Sequence, residues 1–217
     1  MTLANALLGL TAILMVAQSP SNVQHASILI VLAVIADGAD GAIARRLEYG
    51  VLGEHLDSLA DVISFGTAPV VIAYSILSSQ HHYPACIIGG AFLTCGILRL
   101  ARFGVIDQKG GFIGIPITTS GLVVALYVLA FYGEGGQLFL YGLLGAMLLL
   151  SALMVSRIEY TKVRDARLIG VMTVLLVLMV VLFYLDSAPG LMVTAWSNLI
   201  LIGLYILSPL LNLRKNQ

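Results

Sequence analysis

"IADGADGAIARRLEYGVLGEHLDSLADVISFG", residues 35–66, places four aspartates, Asp37, Asp40, Asp57 and Asp61, among Ala, Ile, Leu and Gly. Long apolar runs flank the stretch on both sides. A carboxylate at membrane depth costs roughly 2.5–3.5 kcal/mol even on the gentler insertion scales. Four of them between residues 37 and 61 therefore require a compensating partner. Asp37 and Asp40 are three apart and Asp57 and Asp61 four apart, so each pair shares one face of a helix. The intervening "RRLEYGVLGEH" is short and polar enough to be a turn. Two antiparallel helices then bring both pairs together near a membrane surface.

Composition fixes the setting. Of 217 residues, 59% are hydrophobic and 10% charged, and the mean hydropathy is +1.01. A soluble domain carries about 25% charged residues, so this is an integral membrane protein. Apolar runs of roughly 18–22 residues suffice to cross a hydrocarbon core of about 30 Å as helices. Eight spans are expected, at about 3–18, 27–45, 56–78, 84–103, 115–132, 137–156, 168–186 and 190–211. The first lacks a basic leader region and a small-residue cleavage site, which predicts a span rather than a signal peptide. The expected architecture is an all-α, polytopic helix bundle forming a single domain over residues 1–217.

The basic residues orient this bundle. Arg45 and Arg46 follow span 2, and Arg99, Arg102 and Lys109 surround the 4–5 connection. Arg157, Lys162, Arg164 and Arg167 fill the 6–7 connection, and Arg214 and Lys215 end the chain. The other connections, "SPSNVQH", "SSQHHY", "GEGG" and "DSAPG", contain neither Lys nor Arg. The positive-inside rule makes the basic side cytoplasmic, and an even number of spans puts both termini there. The expected location is the plasma membrane. Cys86 and Cys95 lie nine apart on an apolar helix, which predicts packing roles rather than a disulfide or a metal site.

Four converging carboxylates have only Arg45, Arg46 and His55 as basic neighbours in sequence. A hard divalent ion is the natural counter-charge, and all-oxygen ligation suits Mg²⁺, Mn²⁺ or Ca²⁺ rather than zinc. Any one of these aspartates alone reads equally well as a solvated charge at a helix end or as a transport acid. The small residues around them add information. Gly38, Ala39, Gly41, Ala42 and Ala44 strip the helix surface beside Asp37 and Asp40, and Gly53 does so four residues before Asp57. Such residues alone would mean close helix packing. Beside carboxylates and Arg45, they let a polar ligand approach the backbone. Carboxylates for metal, glycines for access and arginine for phosphate describe a pyrophosphate site.

Asp37-x2-Asp40-Gly41-x2-Ala44-Arg45, followed by Gly53-x3-Asp57-x3-Asp61, resembles the signature of the CDP-alcohol phosphotransferase family. Those membrane enzymes move a phosphatidyl-type group from a CDP-linked lipid onto an alcohol and release CMP. The interval from Arg45 to Gly53 is one residue shorter here than the family's usual one, a change confined to the predicted turn, where length varies most freely. The resemblance implies two divalent ions, with Asp37, Asp40 and Asp57 as principal ligands. It implies that Asp61 touches metal and acts as general base on the acceptor hydroxyl. Asp40, Gly41, Ala44, Arg45 and Gly53 would hold the CDP moiety. It also implies a homodimer.

"DSLADVISFGTAP" at 57–69, "RLARF" at 99–103 and "GGFIGIPITTSG" at 110–121 resemble the serine-accepting, phosphatidylserine synthase branch of that family. The resemblance implies L-serine as acceptor and CDP-diacylglycerol or, in an archaeon, CDP-archaeol as donor. Arg99 and Arg102 are candidates for binding the serine carboxylate. Inositol phosphate or glycerol 3-phosphate would want the same arginines, and ordinary snorkelling at the membrane surface explains them equally well. Asn5 is a buried amide that either contacts the nucleotide or binds a neighbouring helix. Thr118, Thr119 and Ser120 are expected to satisfy their own helix backbone. Two other classes compete. A cation-coupled transporter predicts acids distributed over two symmetry-related halves, whereas all four lie in one hairpin. A structural bilayer protein needs no such carboxylates. No feature points to nucleic acid.

Overall fold

Lipid offers no partner to a backbone N–H or C=O, so long apolar runs must satisfy these groups internally as helices. The computed structural model describes residues 2–44, 51–103, 112–132, 136–160 and 166–213. Its helices are α1 (Thr2–Gln18), α2 (Val23–Ala44), α3 (Val51–Asp61), α4 (Ala68–Phe103), α5 (Ile117–Phe131), α6 (Gln137–Val155), α7 (Ala166–Tyr184) and α8 (Ala188–Leu213). A π-helical turn, Val62–Thr67, joins α3 to α4. Hydroxyls within the helices donate to carbonyls one turn back, as Ser27 does to Val23 (2.8 Å), Ser151 to Met147 (2.7 Å) and Ser120 to Pro116 (3.1 Å). Ser120 thus serves its own backbone, as expected.

The fold is a helical bundle. Four helical stretches are long and apolar enough to cross a membrane: Pro20–Asp40, His55–Arg102, Gln137–Val155 and Ala188–Ser208. Three shorter apolar helices accompany them, Thr2–Gln18, Ile117–Phe131 and Gly170–Tyr184. The longest stretch is not one rod. His81, at φ −132° and ψ 48°, leaves the helical conformation, and Pro84 lies three residues on. Across this break the chain doubles back. A Cβ on Gly89 would come 2.9 Å from Val70, and one on Gly66 would come 2.9 Å from Leu93. The "SSQHHY" connection read from sequence is this reversal.

Helix α5 is central. Most of its length is buried on all sides, as an interior helix with no polar face should be. One apolar cluster joins α1, α2, the π turn, α4, α5 and α6 around Phe65, Phe92 and Met147. A second joins α2 and α5 to α7 and α8 around Leu126, Met179 and Ile202. Lipid tails are as apolar as these side chains, so close packing rather than water exclusion holds the helices together. Both cysteines are free, and Cys95 packs against the first cluster.

A two-residue antiparallel ladder, β1 (Phe112–Ile113) with β2 (Glu159–Tyr160), ties the 4–5 and 6–7 connections together. Next to it Gly114 has φ +75°, and a Cβ there would come 2.3 Å from the Met154 carbonyl oxygen. Only glycine fits that position. Residues Lys109, Gly110 and Gly111 of the same loop lie outside the described residues.

Candidate active site

Asp37 and Asp40 lie close to the end of α2, and Asp57 and Asp61 lie on α3. Asp40 (5% exposed) and Asp61 (9%) are buried, while Asp37 and Asp57 are half-buried. The charges of Asp37 and Asp57 act on Asp61, and that of Asp40 acts on both Asp37 and Asp57. The four carboxylates thus share one electrostatic neighbourhood.

Helix α1 links the pairs. Thr2 Oγ1 donates to Asp40 Oδ2, and Asn5 Nδ2 donates to Asp61 Oδ1 at 3.3 Å. Thr2 and Asn5 are three apart, so one face of α1 reaches both α2 and α3. Asn5 thus bonds a neighbouring helix. Sequence reasoning missed Thr2, whose position at the start of an apolar run carries no distinguishing signal.

The π turn begins directly after Asp61 and is wedged from two sides. A Cβ on Gly9 of α1 would lie 2.6 Å from the Ser64 Cα, and one on Gly121 of α5 would lie 2.8 Å from the Phe65 Cα. Ser64 Oγ donates to the Asn5 carbonyl oxygen at 2.8 Å. Sequence reasoning read Ser64 only as part of a branch pattern. The one available signal was Asn5-x3-Gly9, which sets an amide and a glycine on the same helical face.

Arg99 of α4 is buried, and its charge acts on Asp61. Tyr205 of α8 lies within electrostatic range of Arg99, and its ring meets that of Tyr160 at 5.7 Å. Burial pushes the Tyr160 phenol above its ordinary range. Arg102 takes a different place: its Nη1 donates to the Val155 carbonyl at the end of α6, at 3.4 Å. That is a helix-terminating contact of the kind basic side chains commonly make. The structure therefore brings Arg99, but not Arg102, into the electrostatic surroundings of Asp61.

Gly41 and Ala44 lie in the last turns of α2 and Gly53 in the first turn of α3, while Arg45 and Arg46 lie outside the described residues. Gly38 faces open space, since a Cβ there would meet nothing within 4 Å. Its lack of a side chain is not explained by helix packing. The donor set, carboxylate oxygens alone, fits a hard divalent cation. Among the described residues, no three Asp, Glu, His or Cys side chains stand around one point closely enough to hold an ion.

The family model for CDP-alcohol phosphatidyltransferases matches residues 1–157. The archaetidylserine synthase of Methanothermobacter thermautotrophicus is 39% identical over 143 residues, covering 64% of this chain and 58% of that protein. A CDP-diacylglycerol–serine O-phosphatidyltransferase of Methanocaldococcus jannaschii is 36% identical over 183 residues, covering 83% of this chain and 81% of that one. The enzyme of the same name from Helicobacter pylori strain J99 is 35% identical over 147 residues, with 64% and 61% covered. The chain thus spans less than two thirds of the first and third of these relatives. The family match takes in α1 to α6 and both aspartate pairs, and leaves α7 and α8 outside it. With its signature set on α2 and α3 and most of its length matched, the chain belongs to the CDP-alcohol phosphatidyltransferase family.

Proposed function

We propose that this chain transfers a phosphatidyl or archaetidyl group from a CDP-linked lipid to the hydroxyl of L-serine, releasing CMP. The observation that carries this reading is that Arg99, a buried cation, is near enough to Asp61, the last carboxylate of the signature, for its charge to act there. A base for a hydroxyl and a counter-charge for a carboxylate then lie together, as a serine zwitterion requires. The serine-transferring activities in the names of the similar archaeal and bacterial proteins support the same acceptor.

Asp61 takes the proton of the serine hydroxyl, and that oxygen attacks the phosphorus bearing the lipid. The bond from this phosphorus to the bridging oxygen breaks, and CMP leaves with that oxygen. A carboxylate works as base only within hydrogen-bond reach of the proton it removes, so holding Asp61 in place is part of the chemistry. Asp40, Gly41, Ala44, Arg45 and Gly53 hold the CDP moiety, with Gly38 leaving the adjoining helix surface open. Members of the family generally use divalent metals. Here Asp37, Asp40, Asp57 and Asp61 would hold two, Mg²⁺ or Mn²⁺ with Ca²⁺ as an alternative occupant, which supply charge neutralisation at the pyrophosphate.

In the bilayer, eight crossings are made by α1, by α2, by α3 continued through the π turn into the first arm of α4, by the second arm of α4, and by α5, α6, α7 and α8. The site then opens at the cytoplasmic face, where CDP and serine are dissolved, and the lipid tails stay among the helices. Purified protein given CDP-diacylglycerol or CDP-archaeol should release CMP when serine is added. Release with glycerol 3-phosphate or inositol phosphate in place of serine would redirect the assignment to another acceptor.

A further inference from the structure

Asn5 is 1% exposed and meets two points of the same segment. Its side-chain Nδ2 donates to Asp61 Oδ1, and its backbone oxygen accepts from Ser64 Oγ. An ionised carboxylate only accepts hydrogen bonds, so the NH₂ side of the amide must face Asp61. Ser64 lies in the π turn that starts at Val62, and Gly9, one turn along α1 from Asn5, allows Ser64 to come against the α1 backbone. A π turn exchanges the i→i+4 bonds of an α-helix for i→i+5 bonds, so the winding changes directly after Asp61, the last residue of α3. Asn5 grips both sides of that junction.

The amide is an expensive way to fill space. Its Oδ1 is buried and has no hydrogen-bond partner among the described residues. Burying an unsatisfied acceptor is destabilising relative to an apolar side chain of the same shape, so packing alone would favour leucine at this position.

We propose that Asn5 is a positioning residue for the acceptor-activating carboxylate: its amide engages one oxygen of Asp61 and leaves the other directed at the acceptor hydroxyl. This rests on the reading of Asp61 as general base. It gives Asn5 a task distinct from nucleotide binding, and one that acts on rate rather than on donor affinity.

The test is a double-mutant cycle in the full-length protein. Asn5→Leu and Asn5→Asp are each made in the wild-type and in the Asp61→Asn background. Single-turnover CMP release with CDP-diacylglycerol and serine is measured, together with CDP-diacylglycerol affinity. Asn5→Leu should lower the rate by about 10–100-fold, the scale of a small misplacement of a reacting group, with donor affinity within about twofold. Asn5→Asp keeps the shape and an acceptor oxygen but loses the donor, and should lose at least as much. In the Asp61→Asn background the Asn5 changes should alter the rate by less than about threefold, because coupled residues do not act additively. Equal losses in both backgrounds, a wild-type rate for Asn5→Asp, or a fall in donor affinity matching the fall in rate would each overturn the inference. Should Asn5→Leu fail to yield monodisperse protein, Asn5→Ser, which adds neither bulk nor charge, enters the same cycle. A wild-type rate for Asp61→Asn alone would instead remove the base assignment. A slow Asp61→Asn with additive Asn5 effects overturns only the role given to Asn5.

Discussion

Gly121 of α5 lies so close to Phe65 that a Cβ would come 2.7 Å from the Phe65 carbonyl oxygen. The contact is with backbone, so no side-chain rotation relieves it. Phe65 is four residues beyond Asp61, inside the π turn, and Gly9 of α1 approaches the neighbouring Ser64. Gly121→Ala should therefore destabilise the protein by about 1–3 kcal/mol, the usual range for overpacking, and slow CMP release. Thermal unfolding in detergent and a steady-state assay check this. An unchanged Tm with an unchanged rate would mean that the π turn has room to move.

The two arginines of "RLARF" should separate in kinetics. Arg99→Gln removes the buried cation whose charge acts on Asp61 and should raise the KM for serine at least tenfold, the equivalent of about 1.4 kcal/mol. Arg102→Gln removes a long hydrogen bond to the Val155 carbonyl, worth about 1 kcal/mol or less, and should lower stability slightly while leaving the serine KM near wild type. Steady-state kinetics in serine and thermal unfolding distinguish them. The reverse pattern would assign the acceptor site to Arg102.

Four carboxylates in one neighbourhood repel one another unless a cation stands among them. Activity should vanish in excess chelator and return with Mg²⁺ or Mn²⁺, and donor binding should weaken in parallel. Full turnover in chelator, with no metal retained by elemental analysis, would contradict the ligand assignment.

The orientation is open to labelling in a Cys86→Ala, Cys95→Ala background. Arg157→Cys, at an exposed position after α6, should react with an impermeant reagent only from the cytoplasmic side. Gln80→Cys, exposed beside the break at His81, should react only from the other side. Labelling of both from one side would mean that a crossing has been miscounted.

The helices and the aspartates were legible because their causes are local. Apolar run length defines α1, α2 and α5 to α8, and three- and four-residue spacing defines the aspartate faces. The reversal at His81 was legible as a polar connection, although α3 starts at Val51, before the expected beginning of span 3. What the sequence withheld depends on contacts between distant segments. Thr2 reaches Asp40 and Asn5 reaches Asp61 only once α1 has packed between their helices. The π turn looks like ordinary helix in "VISFGT", and the glycines that approach it, Gly9 and Gly121, come from distant helices. The pairing of Phe112 with Tyr160 joins two loops that no local pattern relates. The seats of Arg45 and Lys109 fall outside the described residues.

The measurement that bears most directly on the account is the single-turnover rate of Asp61→Asn at limiting and saturating Mg²⁺, read beside its affinity for CDP-diacylglycerol. The substitution keeps shape and one oxygen ligand while removing the basic carboxylate. The rate should fall by roughly 10²–10⁴-fold, the usual contribution of a general base, with donor affinity nearly unchanged at both Mg²⁺ concentrations. Asp37→Asn and Asp57→Asn, measured alongside, should lose donor affinity and rate together. Recovery of the Asp61→Asn rate by high Mg²⁺ alone would show that Asp61 serves as a ligand and that the proton goes elsewhere.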